Sequence, residues 1–344
     1  MNISRLEEIL ENIKKTRILV VGDFFLDQYW SINPSLAEIS LETDLDAHQV
    51  VEVRLSPGAA GTVTNNLAAL GVGRISALGC IGTDGNGFEV SSRLRKQGVC
   101  IDNLLSSSRV FTPTYTKPMF RQPGDVPEKE GSRFDIKNRK PLPEELENKL
   151  LENLEKNFPL YDAVTILDQV QERNSGVVTD RMAHLLANLS VRYPEVTVMA
   201  DSRTRINEFR NVLIKPNIHE AARAVGKDPD RDFPALVRDI GELCNSKVLM
   251  TRGSKGITTY DGAKLATCPA LPASELIDIV GAGDSVTAAA VSSLAAGATL
   301  TEAACLAVLA SNVTIHKIGT TGTASQEEIL DKARRYQHLG LFAN

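Results

Sequence analysis

Asp278-Ile279-Val280-Gly281-Ala282-Gly283-Asp284 runs straight into the alanine-rich stretch Ser285-Val286-Thr287-Ala288-Ala289-Ala290, so a glycine-rich turn becomes the start of a helix. Two glycines let backbone N–H groups approach an anion with no Cβ in the way, and a helix N-terminus adds unpaired donors and a positive partial charge. A phosphate site built on Gly281, Ala282 and Gly283 follows. Asp284, at the same terminus, is expected to stay ionised and to accept a proton from an attacking hydroxyl. Taken alone, the tetrapeptide reads equally well as an ordinary turn with Asp284 as a helix cap.

Upstream, Val248-Leu249-Met250 leads into Thr251-Arg252-Gly253-Ser254-Lys255-Gly256 and then Ile257-Thr258-Thr259-Tyr260. Strand, glycine-rich loop and hairpin suit a nucleotide, with Arg252 or Lys255 near its phosphates; a plain surface hairpin is the other reading. Lys215-Pro216-Asn217-Ile218-His219-Glu220 follows a strand and opens a helix. Its amide and carboxylate, three residues apart, suit a hydrated Mg²⁺ beside phosphates or, alternatively, a helix cap at Asn217. Near the start, Arg17 to Val21 runs into Gly22-Asp23-Phe24-Phe25-Leu26-Asp27, delivering two carboxylates that can accept sugar hydroxyls. Gly58-Ala59-Ala60-Gly61-Thr62 and on to Asn66 is a small-residue turn entering a helix, where a ligand can approach backbone closely.

The rest of the chain supplies the frame. Short aliphatic runs at Arg17–Val21, Ala163–Leu167, Thr197–Ala200, Val212–Ile214 and Lys247–Thr251 alternate with helical patterns. Helices are expected at Thr62–Leu70, Gly87–Gln97, Pro143–Asn157, Asp180–Arg192, Ile218–Val225 and Pro234–Cys244. This predicts an α/β fold with a mainly parallel sheet covered on both faces. The β-prone segments Ala47–Leu55 and Phe111–Lys137 break the rhythm and suggest a small accessory sheet. Residues 1–344 thus read as one domain, with lid segments near 47–55 and 111–137 closing a crevice at the strand ends.

Composition excludes several functions. Thirty-eight Lys and Arg against 43 Asp and Glu give a net charge of −5, and aromatics are 5% of the 344 residues, which argues against a nucleic-acid partner. No G-x-x-x-x-G-K-[ST], no G-x-G-x-x-G after the first strand and no G-x-S-x-G is present, so a Walker NTPase, a dinucleotide enzyme and a serine hydrolase lack support. Five dispersed cysteines form no Cys-x-x-Cys pair, and a reducing cytoplasm is the expected home. His48, His184, His219, His316 and His338 lack metal-ligand spacing. Met1 to Lys15 reads as an amphipathic starter helix with Ser4 and Glu7 as capping box, not as a signal peptide. The uncharged stretches Ser285–Thr301 and Ala303–Ile315 read as two small-residue helices in a core, with no membrane partner.

In their order, Gly22-Asp23 with Asp27, the Pro57–Asn66 turn, Asn217 with Glu220, Thr251–Gly256 and Gly281–Asp284 resemble the ribokinase, or PfkB carbohydrate kinase, family over roughly residues 17 to 326. Asp278 to Asp284 resembles the family's D-T-x-G-A-G-D signature. Val20 to Trp30, and late in the chain Lys317-Ile318-Gly319-Thr320, are most similar to bacterial heptose-phosphate kinases. The resemblance implies a ribokinase-like fold with a β lid, ATP and Mg²⁺, a sugar or sugar-phosphate acceptor, and a homodimer joined through the lid. It implies Asp284 as base and Gly281–Asp284 as anion hole. Lys215, Asn217, Glu220, Thr251, Arg252, Gly253 and Gly256 fall on the ATP side, with Mg²⁺ at Asn217 and Glu220 through water. Asp23, Asp27, Gly58, Ala59, Thr62 and Asn66 fall on the acceptor side, and Asp278 on a monovalent-cation (K⁺) position.

The chain departs from the family in two places. Gly58-Ala59-Ala60-Gly61-Thr62 stands where G-G-x-x-N is usual, and Ile279 replaces a threonine beside the anion hole, which bears on acceptor choice and on cation activation. The heptose enzymes are often fused to a nucleotidyltransferase, for which 344 residues leave no room, so a heptose substrate is a lead. A nucleoside or vitamin kinase of the same fold, or a sugar- or nucleotide-binding protein without turnover, is the alternative; Asp27 favours a polyhydroxylated acceptor, and Asp284 with Glu220 favours turnover.

Overall fold

Alternation within the aliphatic runs determines the layers. In the strand Arg17–Gly22, Ile18 and Val20 belong to one apolar cluster and Leu19 and Val21 to another, all four without solvent exposure. A strand buried on both sides needs helices on both sides. The first cluster draws on helices Ile3–Ile13, Ala60–Ala69, Ala282–Ala295 and Leu300–Thr314, the second on Glu144–Asn157, Asp180–Arg192, Ile218–Val225 and Phe233–Cys244. The computed structural model describes residues 1–121, 128–229, 232–273, 276–319 and 321–337; Pro123, Gly124, Pro127, Thr320 and His338 lie outside them.

Nine strands form the central sheet in the order Leu265–Cys268, Ile257–Tyr260, Val248–Thr251, Leu213–Ile214, Thr197–Ser202, Ala163–Asp168, Arg17–Gly22, Arg74–Gly82 and Cys100–Ser107. The first three are antiparallel neighbours and every later pairing is parallel. The fold is thus the α/β arrangement expected, a mainly parallel sheet covered on both faces, with two further strands, Arg74–Gly82 and Cys100–Ser107, that the sequence reading lacks. The first helix is capped by Asn2, whose side chain accepts the Arg5 N–H, and not by Ser4. Ala282–Ala295 and Leu300–Thr314 pack together in the core as two small-residue helices. Among the described residues no helix is long and apolar enough to cross a membrane.

A second, small sheet runs Phe134–Ile136, Thr114–Phe120, Phe24–Ile32, Val50–Ala59, with Lys129–Glu130 paired to Thr114–Phe120. Its strand Phe24–Ile32 adds to the sequence reading, which placed Asp23 and Asp27 past the end of the first strand without assigning them a second one: Phe24, Phe25, Tyr29 and Trp30 suit a pleated, half-buried surface, and the chain crosses from one sheet to the other at Asp23. Register divides this sheet into two faces. Asp27 pairs with Ser56 and Tyr115, and Tyr29 with Arg54 and Lys117, so these polar groups share one face. Trp30, paired with Val53, and Thr116, paired with Phe134, share the other.

Candidate active site

The carboxyl ends of the parallel strands, where doubly wound sheets bind ligands, carry Asp168, Asp201 to Arg203, Lys215 to Asn217, and Thr251. The Thr251 N–H donates to the Pro216 carbonyl (3.0 Å), placing the glycine-rich loop beside the Lys215–Asn217 turn. The helix Ala282–Ala295 begins behind Gly281 with no side chain capping it. The Ala282 N–H turns back to the Ile279 carbonyl (3.1 Å) and the Ser285 N–H bonds to Gly281 (3.0 Å). Ala282 is therefore not one of the anion-binding amides; Gly283 and Asp284, in the first turn, carry the N–H groups that helix geometry leaves without partners.

Beneath this terminus lies a buried charge network. Lys215 is 4% exposed, with Nζ 2.9 Å from Asp201 Oδ2; Thr287 Oγ1 donates to the same oxygen (3.1 Å). Burial opposes the lysine's charge, but Asp201, Glu220 and Asp284 outweigh it and hold its pKa above the ordinary range. Asp284 is pushed up to about 7, first by burial and then by Asp201, with Asp27 adding and Lys215 and Arg203 pulling the other way. This corrects the expectation of a fully ionised Asp284: the helix terminus does not outweigh burial beside two carboxylates. A carboxyl poised near neutrality is matched to taking up a proton.

Across from Asp284 is the polar face of the small sheet. Asp27 is partly buried, which raises its pKa, while Lys117 and Arg133 lower it. A Cβ at Gly58 would come within 2.5 Å of Asp27 Oδ2, so a larger residue here would push the Asp27 carboxylate from its position. Lys117 bonds the Tyr29 hydroxyl (3.1 Å) and lies 4.6 Å over its ring. Arg133 stacks on Tyr115 at 4.0 Å and pairs with Asp135 (2.6 Å). Arg203 is exposed, makes no ion pair among the described residues, and is close enough to Asp284 and Tyr115 to shift both.

Several residues expected in the site are engaged elsewhere. Asp23 is buried, and its carboxylate accepts N–H groups from Gln169, Val170 and Val177, pinning the crossing between the sheets rather than facing an acceptor. Thr62 and Asn66 are each 2% exposed; the Asn66 amide donates to the Thr62 carbonyl (2.9 Å), a bond within the helix. Arg252 lies 3.6 Å over the Phe233 ring instead of reaching toward phosphates. Ala59 adopts φ +53°, strained for a residue with a Cβ. Asn217 and Glu220 form a full capping box, so the Asn217 oxygen is occupied by the Glu220 N–H (2.9 Å). One Glu220 oxygen accepts the Asn217 N–H (2.8 Å), and burial raises this carboxyl's pKa. Asp278 accepts N–H groups from Val280 (3.0 Å) and Gly319 (3.1 Å). Gly253 and Gly256 shape the turn after Thr251.

Sequence reasoning missed Asp201, Arg203 and Lys117. Asp201-Ser202-Arg203 directly follows the run Thr197–Ala200, the same place past a strand end that singled out Asp27 and Asn217. Lys117 lies in the alternating Thr112-Thr114-Thr116 pattern, where its face becomes known only once the partner strand is. A cavity of about 890 Å³ opens at the opposite ends of the strands, beside Thr197, Leu213 and Lys247, and contains none of these groups.

A family model described as pfkB family carbohydrate kinase matches residues 17–327. The chain is similar to the bifunctional protein HldE of Pelobacter propionicus, 28% identical over 337 residues, covering 96% of this chain and 66% of that protein. HldE of Nitratiruptor is 30% identical over 324 residues, covering 93% and 65%. The chain thus spans about two thirds of the length of these relatives. Among solved structures, a ribokinase from Arabidopsis thaliana complexed with ribose and ATP matches with TM-score 0.69 and 20% identity over 92% of this chain and 98% of that one. Phosphofructokinase-2 from Escherichia coli in complex with potassium gives 0.74 and 18% over 94% and 99%. At such identities these two matches establish the fold.

Proposed function

Because the chain belongs to the pfkB family of carbohydrate kinases, we propose that it transfers the γ-phosphoryl group of ATP to a hydroxyl of a sugar phosphate, with a heptose phosphate as the leading acceptor. The observation that carries this reading is Asp284 itself, a carboxyl poised near 7 at an uncapped helix N-terminus. Asp27 accepts hydrogen bonds from acceptor hydroxyls and orients one toward Asp284. Asp284 takes that hydroxyl's proton as the oxygen attacks the γ-phosphorus in line. The Gly283 and Asp284 N–H groups and the Lys215 ammonium stabilise the charge on the transferred group. Thr251, Gly253 and Gly256 form the nucleotide side, and the small sheet, whose polar face carries Asp27, acts as the lid that excludes water.

Mg²⁺ fits this donor set as an ion held mainly through water and phosphate. Among the described residues no three His, Cys, Asp or Glu groups could cage a metal, and Glu220 has a second oxygen beyond the one that accepts the Asn217 N–H. Glu220 would hold the ion through water, and the bound ion would neutralise charge on the phosphates. Each Asp278 oxygen accepts one backbone N–H, from Val280 and from Gly319.

The preference for a phosphorylated acceptor rests on cations around Asp27. A free sugar needs hydroxyl partners; Lys117 adds positive charge beside Asp27, and Arg203, which makes no ion pair among the described residues, adds it beside Tyr115 and Asp284. Together with the likeness to heptose-phosphate kinases, this favours an acceptor carrying its own phosphate. The test is ADP release over a panel of heptose and hexose phosphates and their unphosphorylated counterparts. Lys117→Met should lower kcat/KM for the best sugar phosphate by about tenfold or more, the worth of a charged hydrogen bond, and spare the free sugar. Equal turnover of free and phosphorylated sugars would overturn the acceptor reading.

The outer face of the small sheet favours a homodimer. Val51, Val53 and Phe134 are 59%, 53% and 63% exposed, an apolar surface that a second copy of the chain would cover. Sedimentation at micromolar concentration checks it, and a charged Val53→Glu should dissociate the pair.

A further inference from the structure

Two cysteines that the kinase reading does not use meet in the core. Cys268 ends the strand Leu265–Cys268 and Cys305 lies in the helix Leu300–Thr314; both are buried, and Cys268 Sγ donates to Cys305 Sγ across 3.0 Å. That gap is about 1 Å longer than an S–S bond, so a small approach of helix to strand would close it. We propose that Cys268 and Cys305 are a disulfide-forming pair, and that closing it alters the nucleotide loop next to them.

The chemistry is available to a peroxide. The Cys305 thiol is held below its ordinary range, first by the hydrogen bond from Cys268 and then, against burial, by the amino terminus; Glu302 works the other way. Its thiolate attacks one peroxide oxygen, the O–O bond breaks, and with a proton the other oxygen leaves as water, giving Cys305 sulfenic acid. Cys268 sulfur then attacks the Cys305 sulfur and displaces the hydroxyl, which leaves as water with the remaining thiol proton. Overall two thiols are oxidised to one disulfide while hydrogen peroxide is reduced to two waters.

The strand and the helix both reach the nucleotide side. Gly256 closes the Thr251–Gly256 loop at φ +86°, and a Cβ there would come within 2.1 Å of the Cys268 carbonyl oxygen, so the loop rests on the backbone of this cysteine. From the helix, Asn312 Nδ2 donates to the Pro272 carbonyl (3.1 Å), and the Ile315 carbonyl just beyond it accepts the Asp278 N–H (2.8 Å) at the start of the anion loop. Drawing the sulfurs together therefore moves the support of the loop against the helix that anchors its neighbour. The coupling, unlike the disulfide, rests on the reading of residues 251–256 as the nucleotide loop.

The test treats the full chain with hydrogen peroxide, blocks remaining thiols, and maps peptides by mass spectrometry; ATP binding is titrated calorimetrically before oxidation, after it, and after dithiothreitol. The expected result is a Cys268–Cys305 peptide lighter by two hydrogens, Cys80, Cys100 and Cys244 still blocked as thiols, and ATP affinity lowered about fivefold or more and restored by reduction. Cys305→Ser and Cys268→Ala should each bind ATP normally and lose the response. Cys305 recovered only as free thiol or sulfinic acid overturns the pair, and a cross-link that leaves ATP affinity unchanged overturns the coupling. Reduced protein that binds no ATP would refute the nucleotide reading instead, and the peptide map would still decide the disulfide.

Discussion

Asp284→Asn should make the protein slower and more stable at once, and the stability gain should depend on pH. In the folded chain the Asp284 carboxyl titrates at about 7, against 3.8 for an unperturbed aspartate. A raised pKa means the folded state binds the proton more tightly than the unfolded one. Its favourable contribution is full below about pH 4 and is lost as pH rises through 7. At pH 8 the ionised carboxylate therefore costs up to about 4 kcal/mol relative to a neutral group, and at pH 5 only about 1.7 kcal/mol. Asparagine is neutral throughout. Urea unfolding of both proteins should show Asp284→Asn ahead at pH 8, with the advantage shrinking by about 2 kcal/mol on going to pH 5. Turnover should fall by about 10²–10⁴-fold, the usual effect of losing a general base, with ATP binding retained. In the parent protein kcat should rise with pH through about 7 as the base ionises. A stability difference that does not change with pH would refute the burial argument, and near-normal turnover would refute the base.

Glu220→Gln keeps an oxygen for the Asn217 N–H and removes only the charge, so the helix should form while the Mg²⁺ needed for half-maximal rate rises; an unchanged titration and rate would make Glu220 structural. Asp27→Ala should weaken acceptor use by about ten- to over a hundredfold with nucleotide affinity nearly intact, read by calorimetry with ATP and then with the best acceptor. Because Asp27 raises the Asp284 pKa, the conservative Asp27→Asn should also shift the acid limb of the pH profile downward, and an upward shift would contradict the geometry. Ala59→Gly relieves a φ of +53° and should raise stability by about 1 kcal/mol; a loss in urea unfolding would show that Ala59 is not strained.

The elements legible in the sequence were those whose signal is local. Asp180–Arg192 and Ile218–Val225 match expectation to the residue because cap and periodicity coincide there, Thr179 closing the first and the Asn217–Glu220 box with Gly226 the second. Phe24–Ile32 was hidden because nothing in its own nine residues says which strands will flank it, and its two faces exist only through pairing with Val50–Ala59 and Thr114–Phe120. The site divides in the same way. Gly281 to Asp284 stood out by composition, since a helix start that must accept an anion has few residue choices. The pairing that sets its electrostatics did not: Lys215 was legible beside Asn217, but Asp201 lies fourteen positions away in the chain and the two become one ion pair only because their strands are neighbours in the sheet. Burial, with Asp201 adding to it, is what moves Asp284 from the charge state expected of a helix terminus, and Lys215 only tempers the shift. A helix terminus favours a carboxylate by a kcal/mol or so when exposed, whereas burial beside Asp201 and Asp27 works against it by several, and only the folded chain reveals which of the two Asp284 meets.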